Sequence, residues 1–184
     1  LREELMEPVH LFARFARNAD VRRLELAWAA SNFASRASAV AVAVYAYEAD
    51  GVGAVGIVLF LRLAVAAAAS PWLSVFADRR PRRVVLIASD LVRCLMLGGM
   101  ALLVAFDAAS LSVYILAVLV AVAEPVFRSA QAALTPSLVR TPEELTAANV
   151  VASAVESVGL FAGPALGALL LVVAGSGTVF AVTG

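Results

Sequence analysis

Arg36, Arg62, Asp90, Arg93, Glu124, Arg128 and Glu156 all stand inside stretches otherwise rich in alanine, valine and leucine. At the centre of a membrane helix such a group costs about 2.5–3.5 kcal/mol on insertion scales unless it faces a partner or water, so its presence there defaults to function. Glu124 and Arg128 are four residues apart, and Asp90 and Arg93 three apart. On a helix each pair shares a face and partly neutralises itself. Arg36, Arg62 and Glu156 have no such neighbour. One reading gathers Arg36, Arg62, Glu124, Arg128 and Glu156 around a central polar cavity that holds an anionic ligand or exchanges protons. The other makes them interhelical ion pairs that only fix packing. Asp90 and Arg93 lie near a basic turn and fit a structural or gating pair.

The elements that position these groups follow from composition. Of the 184 residues, 62% are hydrophobic and 15% charged, and the mean hydropathy is +0.93. A soluble chain of this length could not cover that much apolar surface, whereas lipid accepts it and demands only that the backbone bond to itself. The fold class is therefore all-α, a polytopic membrane helix bundle. The formal charge is zero and there is no lysine. Outside the apolar runs arginine gathers at Arg2, Arg14, Arg17, Arg22, Arg23, the turn Asp78-Arg79-Arg80-Pro81-Arg82-Arg83 and Arg140. The alternate loops, 48–53, 107–110 and 175–177, contain none. By the positive-inside rule the N-terminus and the Asp78 turn face the cytoplasm of a cell membrane. Nucleic-acid binding is a poor reading of such a chain. Cys94 and His10 are each single, so no disulfide or cysteine metal site forms within it, and no motif for a cofactor is present.

Residues 1–20 are charged and roughly amphipathic, which predicts a helix along the cytoplasmic interface. Residues 21–184 form the bundle. Its spans are expected over 24–47, 54–76, 84–106, 111–134 and 142–174, five complete crossings, with a sixth beginning after Gly175-Ser176-Gly177. Trp28 at the inner boundary and Tyr45 and Tyr47 at the outer one fit aromatic belts. Thr141-Pro142-Glu143-Glu144 reads as a helix start, with Thr141 as cap and Pro142 in the first position. A leading Leu and an ending inside an apolar run are expected of a fragment.

In the fifth span Gly159, Gly163 and Gly167 recur at four-residue spacing around Pro164. Such a face lets another helix approach closely, and the proline bends the helix there. This pattern resembles motif C of the major facilitator superfamily, the Gly-Pro signature of its efflux branches. The Asp78 turn resembles the family's motif A, and Arg128-Ser129-Ala130-Gln131 is similar to its motif B. Ala88-Ser89-Asp90-Leu91-Val92-Arg93 and Glu143-Glu144-Leu145-Thr146-Ala147-Ala148-Asn149 look like the enterobactin-exporter-like and macrolide-efflux-like group. Ser74 and Pro81 stand where motif A has glycines, and Ser31-Asn32-Phe33-Ala34-Ser35-Arg36 lacks the acid that relatives of this group carry near Ser35. The resemblance implies the N-terminal six-helix half of a twelve-helix transporter whose C-terminal half completes the cavity. It further implies a cytoplasmic gate of Asp78, Arg79, Arg82 and Arg83 with Asp90 and Arg93, and a bend set by Gly159, Gly163, Pro164 and Gly167 against the other half.

The function implied is secondary active export of small amphipathic or anionic compounds, by alternating access and with proton as coupling partner. A transporter-like membrane sensor, or an anchor for a regulatory domain, is the other reading. No paired carboxylates beside a nucleophile, no histidine cluster and no phosphate loop suggest an enzyme.

Overall fold

A computed structural model describes residues 19–139 and 141–184. Five helices carry nearly all of them: α1 (Ala19–Asp50), α2 (Val52–Asp78), α3 (Arg82–Ala105), α4 (Ser110–Leu138) and α5 (Pro142–Thr183). The interfacial helix expected over residues 1–20 lies outside the described residues, except that Ala19 and Asp20 open α1. Each helix starts or stops within a few residues of its apolar run, because the turn residues between the runs end it. Gly51 takes a positive φ of 81° between α1 and α2, a conformation that glycine adopts without strain. Pro81 precedes α3, and its carbonyl accepts hydrogen bonds from the Val84 and Val85 N–H groups at 2.8 and 3.2 Å. Thr141 is extended and its Oγ1 accepts from the Glu144 N–H at 3.3 Å, with Pro142 in the first turn of α5. α4 runs through Pro125 and Pro136 to Leu138, four residues past its expected end.

Among the described residues four helices, α2 to α5, are long and apolar enough to cross a membrane by length and composition. With 32 residues α1 would extend about 48 Å, ample for a ~30 Å hydrocarbon core. Its hydropathy falls short chiefly because Asn32 and Arg36 interrupt it, and Asn32 is buried against protein together with Ser31, Ser35 and Ser38. α5 keeps helical dihedrals through Pro164 and departs from them only at Gly175, with φ 77° and ψ 172°, in the turn expected between the fifth and sixth spans. The break therefore falls at the glycine, and Val179 and Phe180 beyond it are fully buried.

Packing is not sequential. α1 lies most extensively along α5 and also meets α2 and α4, α3 packs on α4, and α2 packs on α4. The neighbours α2 and α3, and likewise α4 and α5, touch only slightly. The α1–α5 contact rests on the glycine row. A Cβ on Gly163 would lie 2.6 Å from the Arg36 Cβ, and one on Gly167 would lie 2.8 Å from the Ala37 Cα and 2.9 Å from its carbonyl oxygen. Among the described residues, this face is therefore filled by α1 of the same bundle. Two apolar clusters close the interior, one around Ala41, Val42, Leu97, Met100, Val113, Val179 and Phe180, the other around Trp28, Val85, Leu86, Phe127 and Ala130. Along α1, α3 and α4 the polar residues Ser31 to Arg36, Arg93 and Glu124 fall between the two clusters in sequence. Outward, Phe161 is 78% and Val172 87% exposed, surface that suits lipid and not water.

A polar core between the helices

The polar residues converge from four helices. On α1, Ser31, Asn32 and Ser35 follow Trp28 at helical spacing, so one face of the helix presents hydroxyl and amide groups. Arg36 Nε donates to Asn32 Oδ1 at 2.7 Å, and the arginine stem rests over Gly163. Arg93 comes from α3, is 8% exposed, and reaches α1 rather than its own helix. Its Nη1 donates to the Ser31 carbonyl at 3.3 Å, to Ser31 Oγ at 2.5 Å and to Ser35 Oγ at 3.0 Å. The expected pairing with Asp90 is reduced to a 3.9 Å approach, and the Asp90 side chain is 53% exposed. Water competes for that carboxylate, while the serines hold the buried guanidinium.

The pairing within α4 is also corrected. Arg128 makes its salt bridge to Glu156 of α5, not to Glu124, and its guanidinium stands 5.9 Å over the Trp28 ring. Trp28 itself is buried and stacked on Phe127, with ring centroids 6.3 Å apart. It therefore belongs to the interior and not to the boundary belt expected for it. Glu156, solitary in its run, finds its partner across the helix interface. Glu124 instead acts electrostatically on Arg62, whose Nη1 is buried without a hydrogen-bond partner among the described residues.

Two adjoining clefts result, sharing Trp28 and Arg128. The smaller is lined by Ser31, Asn32, Ser35, Arg36, Arg93 and Glu124, three arginines counting Arg128 against one carboxylate. Arg62, expected to share a cavity with Arg36, does not line it. The larger measures about 280 Å³ and is lined by Glu25, Gln131, Thr135, Asn149, Ser153 and Glu156. Glu25 escaped the sequence reading although it lies inside the first expected span. It is 3% exposed, and its Oε1 accepts from Gln131 Nε2 at 3.3 Å. The signal was available: an acid flanked by Leu24 and Leu26, one turn before Trp28.

The basic turn is positioned differently. Arg82 Nη1 donates to the Ala133 carbonyl of α4, which ties the turn to a helix end. Arg79 and Arg83 are exposed, and the side chain of Asp78 lies outside those described. Among the described side chains no ion pair joins Asp90 to these arginines. At the opposite end of the bundle, Tyr114 OH donates to Asp50 Oδ2 at 2.6 Å, and Tyr45 meets Tyr114 edge-on with centroids 6.2 Å apart. The hydrogen bond from Tyr114, followed by one from Ser110, holds the exposed Asp50 carboxyl below the ordinary carboxylate range. Because the folded value is depressed, this contribution is present above the unfolded pKa and disappears as pH falls through the folded one. Tyr114→Phe is expected to flatten the acid limb of a melting-temperature profile below about pH 4, the ordinary carboxylate value. An unchanged limb would show that the bond does not form in solution.

The family model described as Major Facilitator Superfamily matches residues 26–184. No curated protein and no solved structure matches the chain. The family match spans most of the chain and coincides with an all-helical bundle of membrane-spanning length, with polar groups turned inward. The chain therefore belongs to the major facilitator superfamily, a multi-pass membrane transporter for small molecules and not an enzyme.

Proposed function

We propose that this chain is the N-terminal bundle of a secondary active exporter of small amphipathic or anionic compounds, working by alternating access with proton antiport. The observation that carries the reading is the pair of charged clefts between α1, α3, α4 and α5 in a bundle otherwise clothed in apolar side chains. Such transporters hold their cargo in a cavity built from groups that would be expensive in lipid, and these clefts run from the expected cytoplasmic end of the bundle toward its middle. Glu156 lines the larger cleft, Arg36 and Glu124 the smaller, Arg128 both, and Arg93 fixes the wall of the smaller one. The Asp78 to Arg83 turn serves as the cytoplasmic gate, with Arg82 tethered to α4 and released as the halves rock. The arginine distribution supports a cytoplasmic N-terminus and turn in the plasma membrane. Similarity of the Asp90 and Glu143 phrases to the enterobactin-exporter-like and macrolide-efflux-like group supports export.

The test uses everted membrane vesicles carrying the full-length transporter and energised by an imposed proton gradient. Ethidium and 8-anilinonaphthalene-1-sulfonate serve as cationic and anionic probes. Gradient-dependent accumulation of at least one dye is expected, and Arg36→Ala should reduce it about tenfold at equal expression, the loss of one charged contact of about 1.4 kcal/mol. Accumulation no greater than in vesicles without the protein, for both dyes, would end the export reading.

A further inference from the structure

The larger cleft holds more acid than base. Glu25 and Glu156 face it with a single guanidinium, Arg128, which is already engaged by Glu156. Glu25 is the more deeply buried acid, and its contacts divide unevenly. Gln131 serves Oε1, while Oε2 is buried and has no hydrogen-bond partner among the described residues. A buried carboxylate oxygen left in this way is costly, by about 1–3 kcal/mol for the missing hydrogen bond alone and by more if charged. Its ligand must bring a donor and, when Glu25 is ionised, a positive charge. The walls suit an organic cation. Trp28 offers an aromatic surface, Asn149 a further amide, and the volume of about 280 Å³ exceeds that of a small aryl amine. Arg93, the other buried cation nearby, is bound to Ser31 and Ser35 and is not free to serve Glu25.

We propose that Glu25 is an amine-binding residue: a primary or secondary ammonium donates to Oε2, with its apolar body on Trp28, between α1, α4 and α5. This deepens the export reading by assigning the cleft to compounds that carry a protonated amine in preference to purely anionic ones. The binding itself does not depend on transport.

Three probes of nearly equal size separate the chemistry: benzylamine, benzyl alcohol and benzoate, each added to the purified full-length protein in detergent at neutral pH. Benzylamine is expected to raise the melting temperature in a saturable way, with benzyl alcohol and benzoate at least tenfold weaker. Glu25→Gln, which keeps the shape and loses the charge, should abolish the benzylamine effect, and Glu25→Asp should retain part of it. Equal or stronger stabilisation by benzoate, or a benzylamine response that survives Glu25→Gln, would overturn the assignment. Should Glu25→Gln fail to fold, photolabelling of the wild type with an azide-bearing benzylamine decides. Adducts on peptides of α1, α4 or α5 that line the cleft support the site, and adducts confined elsewhere refute it. Saturable amine binding without dye accumulation in vesicles would keep this site and remove only export, so the two readings fail separately.

Discussion

Gly167→Leu is expected to leave almost no stably folded protein. Even one added carbon would sit 2.8 Å from the Ala37 Cα and 2.9 Å from its carbonyl oxygen, closer than such atoms approach in real structures. The obstruction is backbone, so no rotamer change relieves it and α1 must move off α5. Overpacking a buried site ordinarily costs about 1–3 kcal/mol. Here the displaced contact is the most extensive in the bundle, which places the expected loss above about 3 kcal/mol, read as a collapse of melting temperature and of monodisperse yield in detergent. Gly56→Ala is the matched control, because nothing lies within 4 Å of a Cβ at that position. It is expected to change stability by less than about 1 kcal/mol, in the favourable direction. Equal tolerance of both substitutions would mean that α1 and α5 do not meet along the glycine row.

Removing the hydroxyls that hold Arg93 should be nearly as damaging. In the double variant Ser31→Ala with Ser35→Ala, the guanidinium keeps only the Ser31 carbonyl, at 3.3 Å, and the distant Asp90. Stripping a buried charge of its partners typically costs about 3–5 kcal/mol, and the remaining carbonyl lowers the expectation to about 2–4 kcal/mol. Adding Arg93→Leu to the same protein should recover most of that loss, since the charge that needed partners is gone. Asp90→Asn, by contrast, should change stability by no more than about 0.5 kcal/mol, because that side chain is half in solvent. Thermal unfolding of the four proteins in one detergent checks the set. A double serine variant as stable as the parent would place the weight of the interaction on Asp90 after all.

These expectations mark where the sequence stops being informative. Helices and their ends were readable because hydropathy changes over a few residues and the breakers are local: Pro81 before α3, the Thr141 cap with Pro142, Gly175 within α5. Choice of partner was not. Spacing puts Glu124 and Arg128 on one face of α4, but it is the placing of α5 that gives Arg128 to Glu156. Serine is nearly neutral in any hydropathy count, so Ser31 and Ser35 gave no hint that they receive a guanidinium from α3. The glycine spacing announced a close approach without saying which helix makes it. Trp28, near a boundary, fits an aromatic belt by position alone, and only the stacking on Phe127 shows that it points inward. Glu25 was hidden for the same reason, as an acid near the end of a span passes for an interfacial residue until its burial is known.

The polar character of α1 bears on how the protein is made. Arg36 finds its bed at Gly163, about 130 residues later in the chain. At roughly 5–20 residues per second that interval is on the order of ten seconds. During it α1 has been synthesised, while the helix that accepts its arginine is still being translated or has not yet left the ribosome. α2 and α3, apolar enough to partition into lipid alone, enter the bilayer meanwhile. α1 is therefore a segment whose polar face is covered only once α5 has been made.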